Sequence, residues 1–234
     1  MSLATGGTTI FGYGSLMSAQ SAAKTMDVAN LRAGILFDYR RTSNLVSISS
    51  IKAGTADLET LECAALSIAP SSSSSGKDSV CGCLFEITEK DLGPYIEREH
   101  RYAVEEVDVY DITSKNTRKA LTVVARTDEA YRAIMDDREY YQRVGQYYDG
   151  SLWGRTDVLP LRTYTNNAIL AAQELGGNAW VENFLDQTFL GDGSTTIREY
   201  YEQYPERMFP EVKRLLNMTP KKETKPVDKR EVQS

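Results

Sequence analysis

The chain has 234 residues, of which 41% are hydrophobic and 26% are charged, and its formal net charge is −6. This acidic balance argues against a general nucleic-acid binder, because phosphate contacts require an excess of Lys and Arg. No apolar run approaches the roughly 18 residues of a membrane-spanning helix, and the first residues lack the basic and apolar regions of a signal peptide. We therefore expect a cytoplasmic protein with neither a nucleic-acid nor a membrane partner.

The cysteine count limits which disulfides and metal sites the chain can form. Cys63, Cys81 and Cys83 are odd in number, and His100 is the single histidine. Reduced thiols are therefore expected rather than a disulfide framework, and the ligands for a structural zinc ion are missing.

The first 126 residues are predicted to form five or six strands with short helices between some of them. The predicted strands cover residues 8–12, 31–44, 63–69, 80–87, 102–110 and 120–125. A Ser-rich exposed loop is expected over residues 71–76. Thr88 is predicted to cap a short helix that ends at Gly93-Pro94, because helices tend to end before a proline.

After residue 126 the pattern becomes helical. Helices are predicted from the Thr127 cap to residue 148, and over residues 164–175, 180–189, 196–204 and 208–218. The sequence thus predicts a core over residues 8–126, a helical extension over residues 127–218 that packs on the core, and a disordered Lys-rich tail over residues 219–234. Residues 151–157 are expected to be a packed connection rather than a lid.

The first predicted strand stops abruptly at Tyr13-Gly14-Ser15-Leu16. Free backbone N–H groups at the end of a strand, followed at once by a helix with Ser18 as N-cap, can hold an anion. A tight turn with no ligand is the commoner meaning of such a sequence. Neither a Walker loop nor a dinucleotide fingerprint is present, since Met17 stands where a third glycine would fall.

A dense cluster of charge precedes the strand at residue 102. Glu97-Arg98-Glu99-His100-Arg101 lies between Tyr95 and Tyr102. Most charge runs are solvated surface turns. Here the chain re-enters a sheet between two tyrosines, which favours part of the cluster turning inward.

These segments, in this order, resemble the γ-glutamylcyclotransferase-like family. The resemblance rests on Tyr13-Gly14-Ser15-Leu16, on Asp38-Tyr39-Arg40-Arg41, on the strand over residues 80–87, and on Glu97-Arg98-Glu99 ahead of Tyr102. It covers about residues 8–126. It implies an α+β fold, namely a mixed β-barrel of five to six strands with flanking helices and a helical C-terminal extension.

The resemblance implies a small-molecule γ-glutamyl substrate and the release of 5-oxoproline without a cofactor or metal. It places the acid/base at Glu99, with Glu97 as the less favoured carboxylate. The implied substrate-binding residues are Tyr13, Gly14, Ser15, Leu16, Arg41 and Tyr102. Burial against the tyrosines would raise the pKa of Glu99 and the adjacent arginines would lower it, and the sequence does not decide between them.

Two alternatives remain open at this stage. The same fold could bind a carboxylate ligand without turning it over, or an unrelated α+β scaffold could bind a partner through the tyrosine-rich segment 131–148. The leaving group of the substrate, the oligomeric state and the role of the helical extension are not specified by the sequence.

Overall fold

The fold is described from a computed structural model, which covers residues 7–72 and 78–218. The expected disordered tail, residues 219–234, and most of the Ser-rich loop lie outside the described residues. In the described stretches, no helix combines the length and the apolar character needed to cross a membrane.

Strands predominate in the first half of the chain, and helices predominate in the second. The strands are β1 (Thr8–Gly12), β2 (Ala29–Phe37), β3 (Tyr39–Val46), β4 (Glu62–Pro70), β5 (Ser79–Ile87), β6 (Ala103–Asp111), β7 (Asn116–Val124), β8 (Leu159–Pro160) and β9 (Thr188–Leu190). The α-helices are α1 (Ala19–Ala22), α2 (Ile48–Lys52), α3 (Glu89–Arg98), α4 (Asp128–Arg132), α5 (Asp137–Tyr140), α6 (Arg162–Asp186), α7 (Ile197–Gln203) and α8 (Pro210–Met218).

In the part of the chain that is described, five strands close a barrel in the order β1-β5-β2-β6-β7. The neighbours pair antiparallel except β1 and β7, whose parallel contact at Ile10 and Leu121 closes the barrel. Strand β5 is buried along nearly its whole length, which explains why its sequence is a continuous apolar run rather than an alternating one. The predicted α+β fold with a mixed barrel and flanking helices is confirmed.

A second sheet, with the order β8-β4-β3-β9 in the described residues, lies beside the barrel. One strand was predicted over residues 31–44, and the structure divides it into β2 and β3. The break is Asp38, whose φ of 63° lies in the left-handed region that Asp tolerates better than most residues. Strands β8 and β9 lie in the segment for which only helices were predicted.

The prediction that Gly93-Pro94 ends a helix is wrong. Helix α3 continues through Pro94 to Arg98. Pro94 leaves the carbonyl of Lys90 without its helical partner, and Lys90 is exposed, so water can satisfy that carbonyl. Tyr95 is fully buried in the turn that follows, and its packing outweighs the cost of the proline. As a result, the helix delivers the chain directly to Glu99, its C-cap.

Helix α6 is fastened to the barrel strand β5. Gly177, with φ of 64°, kinks the helix at the place where the sequence predicted an end. Beyond the kink, Trp180 Nε1 donates to the Gly82 carbonyl at 3.0 Å. Asn183 Oδ1 accepts from the Cys81 N–H at 2.9 Å, and Asn183 Nδ2 donates to the Ser79 carbonyl at 3.1 Å.

The predicted helix from the Thr127 cap to residue 148 is wrong, because the segment is interrupted. Thr127 caps α4 as expected, and Asp136 starts α5 by accepting from the Glu139 N–H at 2.7 Å. A π-helical turn over Tyr141–Gly145 follows. The Asp136 cap accepts from a free N–H group and starts a new helix. The apolar spacing alone therefore wrongly predicted one continuous helix.

We expect Asn183→Ala to lower the free energy of unfolding by about 2–3 kcal/mol, because it leaves buried backbone groups of β5 without partners. Asn116→Ala is the matched control, since the Asn116 amide bonds the Ser114 carbonyl at the surface. It should change the stability by less than about 0.5 kcal/mol. Urea unfolding followed by circular dichroism measures both, and equal losses in the two variants would contradict the role of Asn183.

Candidate active site

The loop after β1 is a compact turn that is held by its neighbours. Ser15–Met17 forms a single 3-10 turn, and the Ser18 Oγ accepts from the Ser21 N–H at 3.3 Å at the start of α1, as predicted. The Cys83 thiol donates to the Leu16 carbonyl at 3.3 Å. The loop therefore has a defined shape before any ligand arrives.

Arg41 stabilises this loop through a hydrogen bond to its backbone. It is fully buried, and its Nη1 donates to the carbonyls of Tyr13 at 3.1 Å and Cys81 at 3.2 Å. Its Nε donates to Thr188 Oγ1 at 2.7 Å, and its guanidinium lies 4.3 Å from the centre of the Phe184 ring. Burial lowers the pKa of Arg41 to about 10.

Glu99 is largely removed from water. Its side chain is 13% exposed, and Arg98 Nε donates to Glu99 Oε1 at 3.1 Å. Burial raises the pKa of Glu99, while the charges of Arg98 and Arg101 oppose that rise. The net direction is upward, so desolvation outweighs the neighbouring cations.

A small cavity of about 30 Å³ brings the loop and Glu99 together. Its lining consists of Phe11, Gly12, Tyr13, Gly14, Ser15, Leu16, Glu99, Tyr102, Val123 and Tyr164. Six of the seven residues that the resemblance implied for the site are in this lining. Arg41 is the exception, since its contact with the site is through the Tyr13 carbonyl.

The tyrosines of the cavity differ in their hydroxyl partners. The Tyr102 hydroxyl donates to the Leu66 carbonyl at 2.8 Å, and the Tyr102 ring packs edge-on against Trp153. The Tyr13 hydroxyl is buried with no hydrogen-bond partner among the described residues, and burial raises its pKa well above the usual value. An unpartnered buried hydroxyl is a natural contact for a polar ligand.

Arg98 joins the catalytic candidate to the loop. Besides Glu99, its guanidinium donates to Ser15 Oγ at 3.3 Å, to the Ser21 carbonyl at 3.0 Å and to Thr25 Oγ1 at 3.1 Å. The sequence identified Arg98 only as a charge near Glu99. Its partners Ser15, Ser21 and Thr25 lie 73 to 83 residues earlier in the chain. No local sequence pattern indicates these contacts.

Glu97 and His100 point away from the cavity. Glu97 is 66% exposed and accepts from Arg143 Nη1 at 2.7 Å, which lowers its pKa. The His100 Nδ1 lies 2.8 Å from the Tyr131 hydroxyl, and burial together with nearby cations lowers the pKa of His100 to about 4. Of the two glutamates, Glu99 is the one in the cavity.

Tyr164, near the start of α6, completes the lining and was not identified from the sequence. Its hydroxyl lies close to the backbone of Gly14 in the loop. A Cβ at position 14 would collide with that hydroxyl, so the close approach requires Gly14.

The described residues contain no cluster of metal-ligating side chains. No group of three or more His, Cys, Asp or Glu side chains is placed to hold a metal ion. The cysteines are free and buried.

We expect Arg98→Met to raise the pKa of Glu99 further, because it removes both the nearest opposite charge and a hydrogen bond to the carboxylate. Carboxyl-carbon NMR titration of both proteins measures the shift. Arg143→Met is the control, because Arg143 pairs with the exposed Glu97 and should leave the Glu99 titration unchanged. A Glu99 pKa that falls in Arg98→Met would contradict the assigned electrostatics.

Comparisons with known proteins agree with this architecture. No protein-family profile matches the chain, and no curated protein matches its sequence. A solved γ-glutamyl cyclotransferase matches with a TM-score of 0.51 and 14% identity, over 86% of this chain and 98% of its own. An uncharacterized human protein matches at 0.48 and 17%, over 72% and 80% of the two chains. A yeast γ-glutamyl cyclotransferase specific to glutathione matches at 0.46 and 13%, over 75% and 94%. The chain has the γ-glutamylcyclotransferase fold.

Proposed function

We propose that this chain is an enzyme of the γ-glutamylcyclotransferase type, which releases 5-oxoproline from a small γ-glutamyl substrate. One observation carries the proposal. A largely buried carboxylate with a raised pKa, Glu99, lines the same cavity as the amide-rich loop Tyr13-Gly14-Ser15-Leu16. The fold supports the proposal, since a γ-glutamyl cyclotransferase shares it.

The proposed reaction is a ring closure within the substrate. The α-amine attacks its own γ-carbonyl carbon, a new C–N bond forms, and the bond to the leaving nitrogen breaks. Because both reacting groups belong to one molecule, holding them in the right orientation supplies much of the acceleration. The acyl group stays at the same oxidation level, so the proposal includes no redox cofactor.

Glu99 moves the proton. Its carboxylate accepts a proton from the attacking amine and returns it to the leaving nitrogen, so the enzyme is unchanged after each turnover. A raised pKa makes the carboxylate a stronger base, which suits the proton-accepting half of this task. Arg98 is a positioning residue that keeps the carboxylate directed at the loop.

The loop supplies neutral donors to the substrate. Its N–H groups are proposed to hold the α-carboxylate or the oxyanion that forms at the γ-carbonyl. The Tyr13 hydroxyl, which has no partner in the described chain, adds a further polar contact. Arg41 acts indirectly, by fixing the Tyr13 carbonyl and therefore the direction of the loop.

An assay of 5-oxoproline release from glutathione, from a γ-glutamyl dipeptide and from a γ-glutamyl amine tests the proposal. Product from at least one of them is expected. Binding of these compounds without product would instead indicate a non-catalytic carboxylate-binding protein on the same fold.

We expect Glu99→Gln to lower kcat by about 100-fold or more, because the amide cannot carry the proton. Glu97→Gln is the matched control two residues away. Glu97 makes only a surface ion pair with Arg143, so its loss should change kcat by less than about twofold. Circular dichroism confirms that both variants fold. Loss of activity in Glu97→Gln with retention in Glu99→Gln would reverse the assignment.

A further inference from the structure

A separate pocket lies at the charged segment around the end of α3. Its volume is about 660 Å³, which is within the usual size range of small-molecule sites. Three stretches of chain line it, namely α2, the residues around the end of α3, and the stretch from Glu139 to Arg143. This lining and the lining of the small cavity beside Glu99 share no described residue. The pocket is therefore distinct from the candidate active site.

Four cationic side chains line this pocket, and two of them have carboxylate partners. Arg98 pairs with Glu99, and Arg143 pairs with both Glu97 and Glu139. Glu97 and Glu139 are the two carboxylates of the lining. Both of these negative charges are therefore held by Arg143 and leave the other cations of the pocket uncompensated.

The other two cations are Lys52 and Arg101, and neither forms an ion pair within the described stretches. Lys52 is exposed, and its Nζ lies 4.3 Å from the centre of the Tyr147 ring. Arg101 is half-buried, and its Nη1 is buried with no hydrogen-bond partner in the described part of the chain. Removing a charge from water is costly unless it is compensated. An anion in the pocket would supply that compensation.

The pocket also offers neutral polar groups. Ser49 of α2 contributes a hydroxyl, and Gln142 contributes a side-chain amide. The His100 ring lines the pocket as well, and it is neutral at pH 7 because burial and nearby cations lower its pKa to about 4. Gln142 and Arg143 belong to the π-helical turn over Tyr141–Gly145, and turns of this kind occur frequently at functional sites.

We propose that this pocket binds a small organic phosphate. A phosphate ester carries a charge of about −1.5 to −2 at pH 7. One such group can therefore neutralise both Lys52 and Arg101, whereas a carboxylate carries a single charge. The planar guanidinium of Arg101 matches two phosphate oxygens at once.

The lining also limits the organic part of the ligand. Ile48 is the one aliphatic side chain in the lining, and most of the others are charged or can form hydrogen bonds. A sugar or polyol fits these surroundings better than an acyl chain, since each hydroxyl of a polyol can find a partner. The site does not depend on the proposed function, because none of its lining residues is needed for the proposed proton transfer.

His100 can report binding directly, because it lines the pocket and is the single histidine of the chain. The probe is glycerol 3-phosphate, added to the full chain at pH 7 and low ionic strength while the ring-proton NMR signals of His100 are followed. We expect a saturable shift, about fivefold weaker binding of glycerate, and no shift with glycerol. Equal or tighter binding of glycerate overturns the phosphate assignment. The absence of a saturable His100 shift overturns the pocket.

Two substitutions test the cations that carry the proposal. Arg101→Met should weaken binding of glycerol 3-phosphate about tenfold, the equivalent of one charged hydrogen bond. Arg126→Met is the matched control, because Arg126 also has a buried Nη1 without a partner among the described residues and lies outside the lining. It should leave the affinity unchanged. Equal losses in the two variants overturn the role of Arg101.

Lys52→Met keeps the proposal testable if Arg101→Met does not fold, since Lys52 is exposed. It should weaken binding about threefold, the size of an exposed ion pair. Lys24→Met, an exposed lysine outside the lining, is its control and should have no effect. Phosphate bound at the loop after β1 instead would leave the affinities of Arg101→Met and Lys52→Met at the wild-type value, and that result overturns the site.

Discussion

The ion pair between Arg98 and Glu99 is the interaction on which the site depends. Removing a carboxylate from water is costly unless an opposite charge and hydrogen bonds compensate. Arg98 provides both at 3.1 Å, and the same guanidinium reaches Ser15, Ser21 and Thr25. The carboxylate, the loop and α1 are therefore one network. The compensation is incomplete, since burial still raises the pKa of Glu99.

A second arginine, the fully buried Arg41, has a different role. Arg41 has no carboxylate partner among the described residues, and its cost of burial is offset by oxygen acceptors and by the Phe184 ring. It fixes the shape of the loop after β1 and places no charge in the lining of the small cavity. Neither arginine lines the small cavity, so the donors facing this cavity are neutral N–H and O–H groups. Neutral donors can stabilise an oxyanion without strongly lowering the pKa of the neighbouring Glu99.

Local signals made much of the fold predictable. The bounds of β1 match the prediction, because a β-branched run ends at glycine. The helix predicted over residues 196–204 is present as α7, and it begins with a capping box of Thr196 and Glu199 whose two bonds form within one turn. Glu99 and Tyr102 were placed in the site through a resemblance in segment order rather than through any local pattern.

The features that the sequence did not predict depend on contacts between distant segments. Pro94 lies inside α3 because Tyr95 is buried against the core, and sequence spacing does not reveal that burial. The position of Arg41 is set by Thr188 and Asn183, which come from the C-terminal half. Tyr164 was missed for the same reason, since Gly14, which its hydroxyl approaches, precedes it by most of the chain.

The backbone of α6 is fixed on both sides of its kink at Gly177. Before Gly177, the buried Asn166 accepts from the Phe209 N–H at 2.7 Å and donates to the Arg207 carbonyl at 3.1 Å. After Gly177, Asn183 bonds two backbone groups of β5. Displacing this helix would break all of these buried bonds. The Tyr164 side chain, which α6 carries into the lining of the small cavity beside Glu99, is therefore held in register with the barrel.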